Sequence, residues 1–406
     1  MTTHNVHPLL VVGTFDTKGR ELDFVARRIT DAGARVITVD VSTAAEGCSA
    51  DVAAATVAAC HPQGAVAVLQ DDRGRAIAEM AVALKIFLLR YGPLAGVIGL
   101  GGSGGTALLS VGFRALPIGL PKLIVSTVAS GDVAPYIDAS DLILMPAITD
   151  VAGLNPISRT IFAQAADAIV AMARSKSESN SASARHAIGL TMFGVTTSCV
   201  EAVSRALEQD HDCLVFHATG VGGRTMEKLV DSALIQGVID LSTTEVADRI
   251  VGGTMAATDD RFGAIARTRV PWVGSVGACD MVNFGARSTV PERHVERLFY
   301  QHNPQVTLMR TTPAENHAIG TWIATRLNDC AGEIRLILPR GGISAIDAPG
   351  MPFHDPAADE ALFDAIAATL HETESRRLIT STCHINDPAF AALVVETFRS
   401  IRVMTR

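Results

Sequence analysis

Short apolar runs recur along the chain, each followed by a loop rich in glycine, threonine or serine and then by an amphipathic stretch. In the first half the runs lie at residues 9–12, 36–39, 97–100, 123–125 and 142–145. In the second half they lie at 188–192, 213–216, 272–276, 306–309, 336–338 and 378–380. Continuous apolar runs of this length mark parallel strands buried on both faces, and the helical stretches between them are the crossovers that parallel strands need. The pattern predicts an α/β chain with two Rossmann-like, doubly wound parallel-sheet domains. Residues 65–70 fit either a strand or the start of the helix that follows.

One stretch breaks the pattern. Residues 174–184 (RSKSESNSASA) are serine-rich and without apolar periodicity, after a helix-like segment at 157–172. They read as a flexible linker, giving an N-terminal domain over 1–174, a linker over 175–186 and a C-terminal domain over 187–406. A length of 406 residues suits two domains. Hydrophobic residues at 48% and charged residues at 19% suit packed interiors, not disorder.

The net charge of −8 argues against a nucleic-acid backbone binder. The polar residues 1–8 do not resemble a secretory signal, and no apolar stretch reaches the roughly 18 residues of a membrane span. A cytoplasmic protein is expected. The seven cysteines, at 48, 60, 199, 213, 279, 330 and 383, form no Cys-x-x-Cys pair and read as reduced thiols. Among them Cys279 reads as a small buried apolar residue.

Ligands of open parallel sheets bind beyond the carboxyl ends of the strands. After the first run come Gly13, Thr14, Phe15, Asp16, Thr17, Lys18 and Gly19. Gly13 permits a tight turn, Thr14 and Thr17 offer hydroxyls to phosphate oxygens, and Lys18 adds positive charge at a helix start. Asp16 is a candidate Mg²⁺ ligand, although an N-cap role for Asp16 or Thr17 explains the same residues equally well. After the third run come Gly101, Gly102, Ser103, Gly104, Gly105 and Thr106. Side chains are nearly absent there, so backbone N–H groups at a helix N-terminus lie open to an anion. The loop is neither a Walker loop nor a dinucleotide fingerprint, and close helix–strand packing is its alternative explanation. Ser126, Thr127, Ser130 and Gly131 follow the fourth run, and Asp40 ends the second, placed to accept from ribose hydroxyls or to cap a turn.

The second half has its own candidates. Residues 217–227 (HATGVGGRTME) follow a run and open a helix. Arg224 there is fit to clamp a carboxylate or phosphate, and His217 or Glu227 to move protons. Asp280 and Asn283 follow the run at 272–276. Arg340 begins the loop that contains Gly341, Gly342 and Ser344, and His384 lies in the closing Cys383–Asp387 segment. A lone histidine is more often structural than catalytic, and this weighs on His384. His4, His7, His211 and His371 read as surface residues.

Residues 13–19, 99–106, 126–131, 217–227, 339–344 and 383–387 together resemble the motif series of the Tm-1-like ATP-binding domain family. These are uncharacterised bacterial and plant proteins related to the N-terminal region of the tomato mosaic virus resistance protein. The resemblance implies two Rossmann-like domains, a homodimer, and ATP bound with Mg²⁺ by the N-terminal domain through residues 13–18, 101–106 and 127–131. It further implies a separate TIM-barrel partner, because the plant member is fused to such a module and this chain stops at Arg406. Residues 250–254, followed by Asp259, Asp260 and Arg261, read as a polar variant of a more apolar family pattern.

The leading functional expectation is an ATP-using enzyme acting on a small organic acid between the domains. Arg224 and Arg340 would bind the acid, and His217 or His384 would serve as acid or base. The alternative is a non-catalytic nucleotide-sensing dimer that regulates a partner. An NAD(P)-dependent dehydrogenase fits less well, because the glycine loop comes in a later βα unit.

Overall fold

The first apolar run forms strand β1 (Leu9–Gly13), buried along its whole length, in the computed structural model, which describes residues 7–43, 49–70, 72–175 and 185–401. Strands β2 (Val36–Asp40), β3 (Gly96–Gly101), β4 (Lys122–Ser126) and β5 (Ile143–Pro146) follow it in sequence. All five are parallel, in the order β2-β1-β3-β4-β5. The helices of this unit are α1 (Phe15–Asp31), α2 (Ala54–Ala58), α3 (Arg73–Arg90), α4 (Ser103–Ala115), α5 (Ala134–Ile137) and α6 (Pro156–Ser175).

Alternation along β1 builds the two apolar layers. Leu9 and Val11 join Leu22, Val25, Phe162 and Ile169 of α1 and α6, whereas Leu10 and Val12 join Met80, Leu84, Leu109 and Phe113 of α3 and α4. Both faces of the sheet are therefore covered. The order reverses between β1 and β3, so the loops leaving these neighbours diverge and open a crevice at their carboxyl ends.

The second unit repeats the plan with six parallel strands and an insertion. Strands β6 (His186–Met192), β7 (His211–His217), β8 (Gly237–Ser242) and β9 (Trp272–Gly277) come first. A separate antiparallel sheet of β10 (Met281–Phe284), β11 (Phe299–Asn303) and β12 (Val306–Arg310) is then inserted. Strands β13 (Ile334–Pro339) and β14 (Arg376–Ser381) complete the main sheet, in the order β14-β13-β9-β8-β6-β7. Its helices are α7 (Thr197–Leu207), α8 (Val221–Asp231), α9 (Thr244–Val251), α10 (Gly263–Thr268), α11 (Pro313–Asn328), α12 (Pro356–Thr369) and α13 (Pro388–Ser400). Val200 and Val203 of α7 pack with Phe390, Val394 and Phe398 of α13 on one face. Residues of α8 to α12, among them Met226, Val246, Ile265, Ile319 and Leu362, cover the other.

Several strand expectations need correction. The central strand β8 (GVIDLS) was not expected, because Asp240 interrupts its apolar run. The run at 306–309 is not a parallel strand of the main sheet: it lies in β12, paired antiparallel with β10 and β11. The Asn303-Pro304-Gln305 turn reverses the chain there, with the Gln305 N–H donating to Asn303 Oδ1 at 2.9 Å. The run at 213–216 is an edge strand, half open to solvent rather than buried on both faces. Residues 65–67 form a single 3₁₀ turn and not a strand. Of the serine-rich stretch, residues 176–184 lie outside the described residues, as do His4 and Cys48. The chain separates into two compact units, 1–182 and 183–406.

Phe113 is fully buried between sheet and helices in the first unit. Phe113→Ala is expected to lower the unfolding free energy of this unit by about 3–5 kcal/mol in urea titration, and a loss below about 1 kcal/mol would contradict this packing.

Candidate functional site

A cleft of about 480 Å³ lies at the carboxyl ends of β1 and β3, where the strand order reverses. Thr14, Asp16, Thr17 and Lys18 line one side, and Gly102, Ser103, Gly104 and Gly105 line the other. Thr43, Arg73, Ile77 and Leu108 close it, none of which the sequence reading singled out. Three helix N-termini, those of α1, α3 and α4, thus border one space.

The three termini differ in what their backbone donors meet. At α1 the N–H of Phe15 donates to Asp40 Oδ1 at 3.1 Å and that of Asp16 to Ser42 Oγ at 3.2 Å. Asp40 is buried and also accepts from the N–H of Ser42 at 2.9 Å. It stands behind the cleft as a cap of α1, outside the lining. At α3 the Asp72 carboxylate caps the N–H of Arg75 at 3.0 Å. No side chain caps α4. Among the described residues, the N–H groups of Ser103, Gly104 and Gly105 have no acceptor within the chain. They meet the positive end of the helix dipole at the wall of the cleft.

The glycines divide by what a side chain would strike. A Cβ on Gly101 would press on the backbone of Thr106 and Gly105 at 2.7 and 2.8 Å, so this glycine serves helix–strand packing. A Cβ on Gly102 or Gly105 would meet only ordinary contacts at 3.8 Å, and one on Gly104 would meet Ile77 Cδ1 at 3.2 Å. At Gly102 and Gly105 the missing side chain leaves cleft volume open, and at Gly104 a side chain would press on Ile77 in the cleft wall.

The remaining predicted residues of this unit fall into two groups. Lys18 lines the cleft while its Nζ donates to the Val151 carbonyl at 2.6 Å, and two further N–H donors remain on that ammonium. Thr14 and Thr17 share a hydroxyl hydrogen bond at 2.9 Å. Thr106 Oγ1 lies 2.7 Å from Ser126 Oγ in a buried contact that ties α4 to β4. Thr127 Oγ1 sits 3.8 Å from a Cβ placed on Gly102, at the border of the cleft. Ser130 and Gly131 are exposed and lie outside the lining. Arg73 is exposed at the cleft and makes no hydrogen bond or ion pair among the described residues. Among the described residues Asp16 is the sole carboxylate in the lining, and they contain no cluster of three acidic, histidine or cysteine side chains fit to hold a metal. A Mg²⁺ ion suits one carboxylate plus phosphate oxygens and water, so Asp16 fits a metal brought by a ligand, not a protein-only cage.

In the second unit the glycine-rich loop at 217–227 is filled from within. The Glu245 carboxylate accepts from the N–H groups of Gly220 and Gly223 at 2.7 and 3.1 Å. A Cβ on Gly222 would fall 1.8 Å from the His217 carbonyl oxygen, and one on Gly223 would fall 2.0 Å from Glu245 Oε2. Packing accounts for both. Arg224 Nε donates to the Gly220 carbonyl at 2.8 Å. Arg340 pairs with Glu360 and lies over the Phe363 ring at 5.6 Å. His384 Nε2 lies 2.9 Å from the Ser344 carbonyl, and its Nδ1 accepts from the Asn386 N–H at 3.1 Å. That geometry fixes the neutral tautomer protonated on Nε2. His217 stacks on Phe193 with centroids 5.4 Å apart. Each of these four side chains is thus engaged at its own strand end. His211 is half-buried and not a surface residue: its ring meets Phe398 edge-on at 5.7 Å, and burial lowers its pKa. Cys279 is fully buried, which pushes its thiol up to about 12.

Two buried ionic hubs went unseen in the sequence. Arg261 donates to Asp240 at 2.7 and 2.9 Å and to Glu227 at 2.7 Å. Its Nε lies 3.3 Å from Glu245 Oε2, a charge contact without hydrogen-bond alignment. The second hub, Arg310, donates to Asp359 at 2.7 Å and to the Phe353 carbonyl at 2.7 Å. Its Nη2 lies 3.7 Å from Asp347, while Asp280 accepts from Ser344 Oγ at 2.7 Å. Each guanidinium faces three carboxylates, and burial penalises the surplus charge. Desolvation pushes Glu227 and Asp280 up to about 7 and Asp359 to about 8, against the pull of their arginines. Asp248, buried beneath the backbone of Met255 and Asn283, rises to about 7 from the same cause. The Ser242-Thr-Thr-Glu245 capping pattern was the readable signal for Glu245. Arg261 reads only as part of a polar variant beside Asp259 and Asp260, and no spacing signals its pairing with Asp240 and Glu227.

Models of an uncharacterised protein family (UPF0261) match the chain twice, with its N-terminal domain over residues 7–178 and its C-terminal domain over residues 185–402. A UPF0261 protein of Rhizobium meliloti is 56% identical over 394 residues, covering 97% of this chain and 98% of that protein. One of Mesorhizobium japonicum is 54% identical over 387 residues, covering 95% and 97%. The ToMV resistance protein Tm-1(GCR237) of Solanum lycopersicum is 43% identical over 420 residues, which cover 97% of this chain and 56% of that longer protein. No helix among the described residues is long and apolar enough to cross a membrane.

The raised carboxyls fix the sign of a pH effect. Between the ordinary carboxyl range and about 7 to 8, these four carboxyls hold more protons in the folded unit than in the unfolded chain, so their contribution to stability falls as pH rises through that window. It outweighs the opposite contribution of the two lowered histidines, His211 and His294. The urea midpoint of this unit is expected to be higher at about pH 5.5 than at about pH 8, with a shallower dependence in Glu227→Gln. A midpoint that climbs with pH over this range would contradict the assignment.

Proposed function

The chain belongs to the uncharacterised protein family UPF0261 through both its halves, and from that premise we propose that its first unit binds ATP with Mg²⁺ in the cleft between β1 and β3. The observation that carries this reading is the uncapped N-terminus of α4, whose Ser103, Gly104 and Gly105 amides face a cleft that Lys18 and Arg73 also line. Unpaired donors at a helix N-terminus and two cations make a seat for a polyphosphate. Ile77 and Leu108 give the same cleft an apolar wall for a base or sugar. Its volume falls in the range of small-molecule sites, roughly 300–1,000 Å³. Asp16, with the Thr14 and Thr17 hydroxyls beside it, would hold Mg²⁺ together with the phosphates and offset their charge.

Two consequences of ATP binding compete. An ATP-using enzyme acting on a small organic acid needs Arg224, Arg340 and a histidine free to meet that acid. In this structure Arg340 is paired with Glu360, and both ring nitrogens of His384 are engaged. These engagements count against Arg340 and His384 in that role, while His217 is exposed and stacked on Phe193. The second reading is a nucleotide-sensing homodimer whose occupancy governs a partner such as a TIM-barrel protein. Acid-dependent ATP consumption across a panel of carboxylic acids would favour the enzyme. Partner affinity that follows ATP occupancy would favour the sensor.

Calorimetric titration tests the shared premise. The wild-type chain is expected to bind ATP with Mg²⁺ and to show no comparable heat with NADH. Gly104→Val is expected to weaken binding at least about 100-fold, and Arg73→Ala about tenfold. Absence of ATP binding in the wild type, or full affinity in Gly104→Val, would overturn the proposal.

A further inference from the structure

A second cavity, of about 170 Å³, lies in the second unit at the carboxyl ends of β6 and β7. The strand order of that sheet reverses next to it, between β6 and β8. Phe193, Val195 and His217 line it from the ends of β6 and β7, Met255 from the segment after α9, and the inserted β11–β12 hairpin also contributes to the lining. The surface facing inward is almost wholly carbon.

Three features describe an occupant. The Phe193 and His217 rings stack on one another with planes 24° apart, so each covers one face of the other and the pair meets the cavity with its remaining ring surface. Met255 lines the same space, and its backbone is held by its N–H, which donates to the buried Asp248 carboxylate at 2.7 Å. Gly194 lines the same space, and a Cβ built on it would meet nothing within 4 Å. Its φ is not positive, so neither packing nor backbone conformation requires glycine there. The bare position leaves room for a ligand. An enclosed apolar space of about 150 Å³ accepts a benzene ring, and this cavity is slightly larger. The remaining ring surface favours an aromatic partner by edge or offset contact, and thioethers pack well on ring edges. At the mouth, His217, His302 and Asn303 carry both donors and acceptors.

We infer that this cavity binds a monocyclic aromatic compound, with the ring inside and a hydrogen-bonding substituent at the mouth beside His217, His302 and Asn303. The site is separate from the nucleotide cleft and does not rest on it.

The test uses the whole chain labelled with ¹³C in its methionine methyl groups, with the Met255 signal assigned from Met255→Leu. Benzamide is the aromatic probe and cyclohexanecarboxamide its non-aromatic counterpart. Benzamide is expected to move the Met255 methyl saturably and upfield, and cyclohexanecarboxamide to bind at least about tenfold more weakly. Gly194→Leu is expected to abolish the Met255 response while the other methionine signals hold their positions. If that variant does not fold, the aromatic preference of the wild type decides. No Met255 response to benzamide, an undiminished response in folded Gly194→Leu, or equal affinity for the two probes would overturn the inference.

Discussion

A helix that starts at the end of a parallel strand exposes three or four N–H groups that its own turns cannot satisfy, and something must accept from them. In this protein the acceptor differs from helix to helix. Asp40 serves α1, Asp72 serves α3 and Glu245 serves α8. At α4, as at α2 and α13, no side chain of the described residues is supplied, and α4 differs in that its open amides border a cleft. The loop before α4 keeps glycine at positions where its own packing tolerates a Cβ, and the vacant volume adjoins two cationic side chains. We propose an external anion as the acceptor at α4, and the functional account depends on that proposal.

The second unit shows the same loop grammar put to structural use. Its glycines at 222 and 223 are required by the His217 carbonyl and by Glu245, so an apparent anion loop is already occupied by an internal carboxylate. Glu245 in turn neighbours Arg261, which joins β8 to α8 through Asp240 and Glu227. Removing one partner from such a buried set strands the others without compensation, at a cost of about 3–5 kcal/mol. These charges are spent within the unit, and its switch-point cavity is lined almost wholly by carbon.

Much of the architecture was legible in the sequence because parallel strands buried on both faces leave uninterrupted apolar runs. Strands β1 to β4 read out almost to the residue. Where a strand carries a buried charge, as β8 does at Asp240, the run breaks and the strand vanishes from view, since its partner Arg261 lies 21 residues away. The antiparallel insertion was hidden for a different reason. The run in β12 looks like the others, and only pairing partners tell it from a main-sheet strand. In the candidate cleft, the glycine loop and residues 14–18 were readable because strand ends are where ligands bind. Arg73, Ile77 and Thr43 were not, because they reach the cleft from other strand-to-helix connections and carry no motif of their own. Asp40 was readable as a polar residue at a strand end, but its position behind α1 depends on geometry that no spacing conveys.

The most direct test of the central claim is amide hydrogen exchange of the whole chain with and without ATP and Mg²⁺. Protection on binding is expected at residues 103–105, whose amides gain an acceptor, with smaller changes at 14–18 and around Arg73. Unchanged exchange at 103–105 in a chain saturated with ATP would place the nucleotide elsewhere and contradict the account.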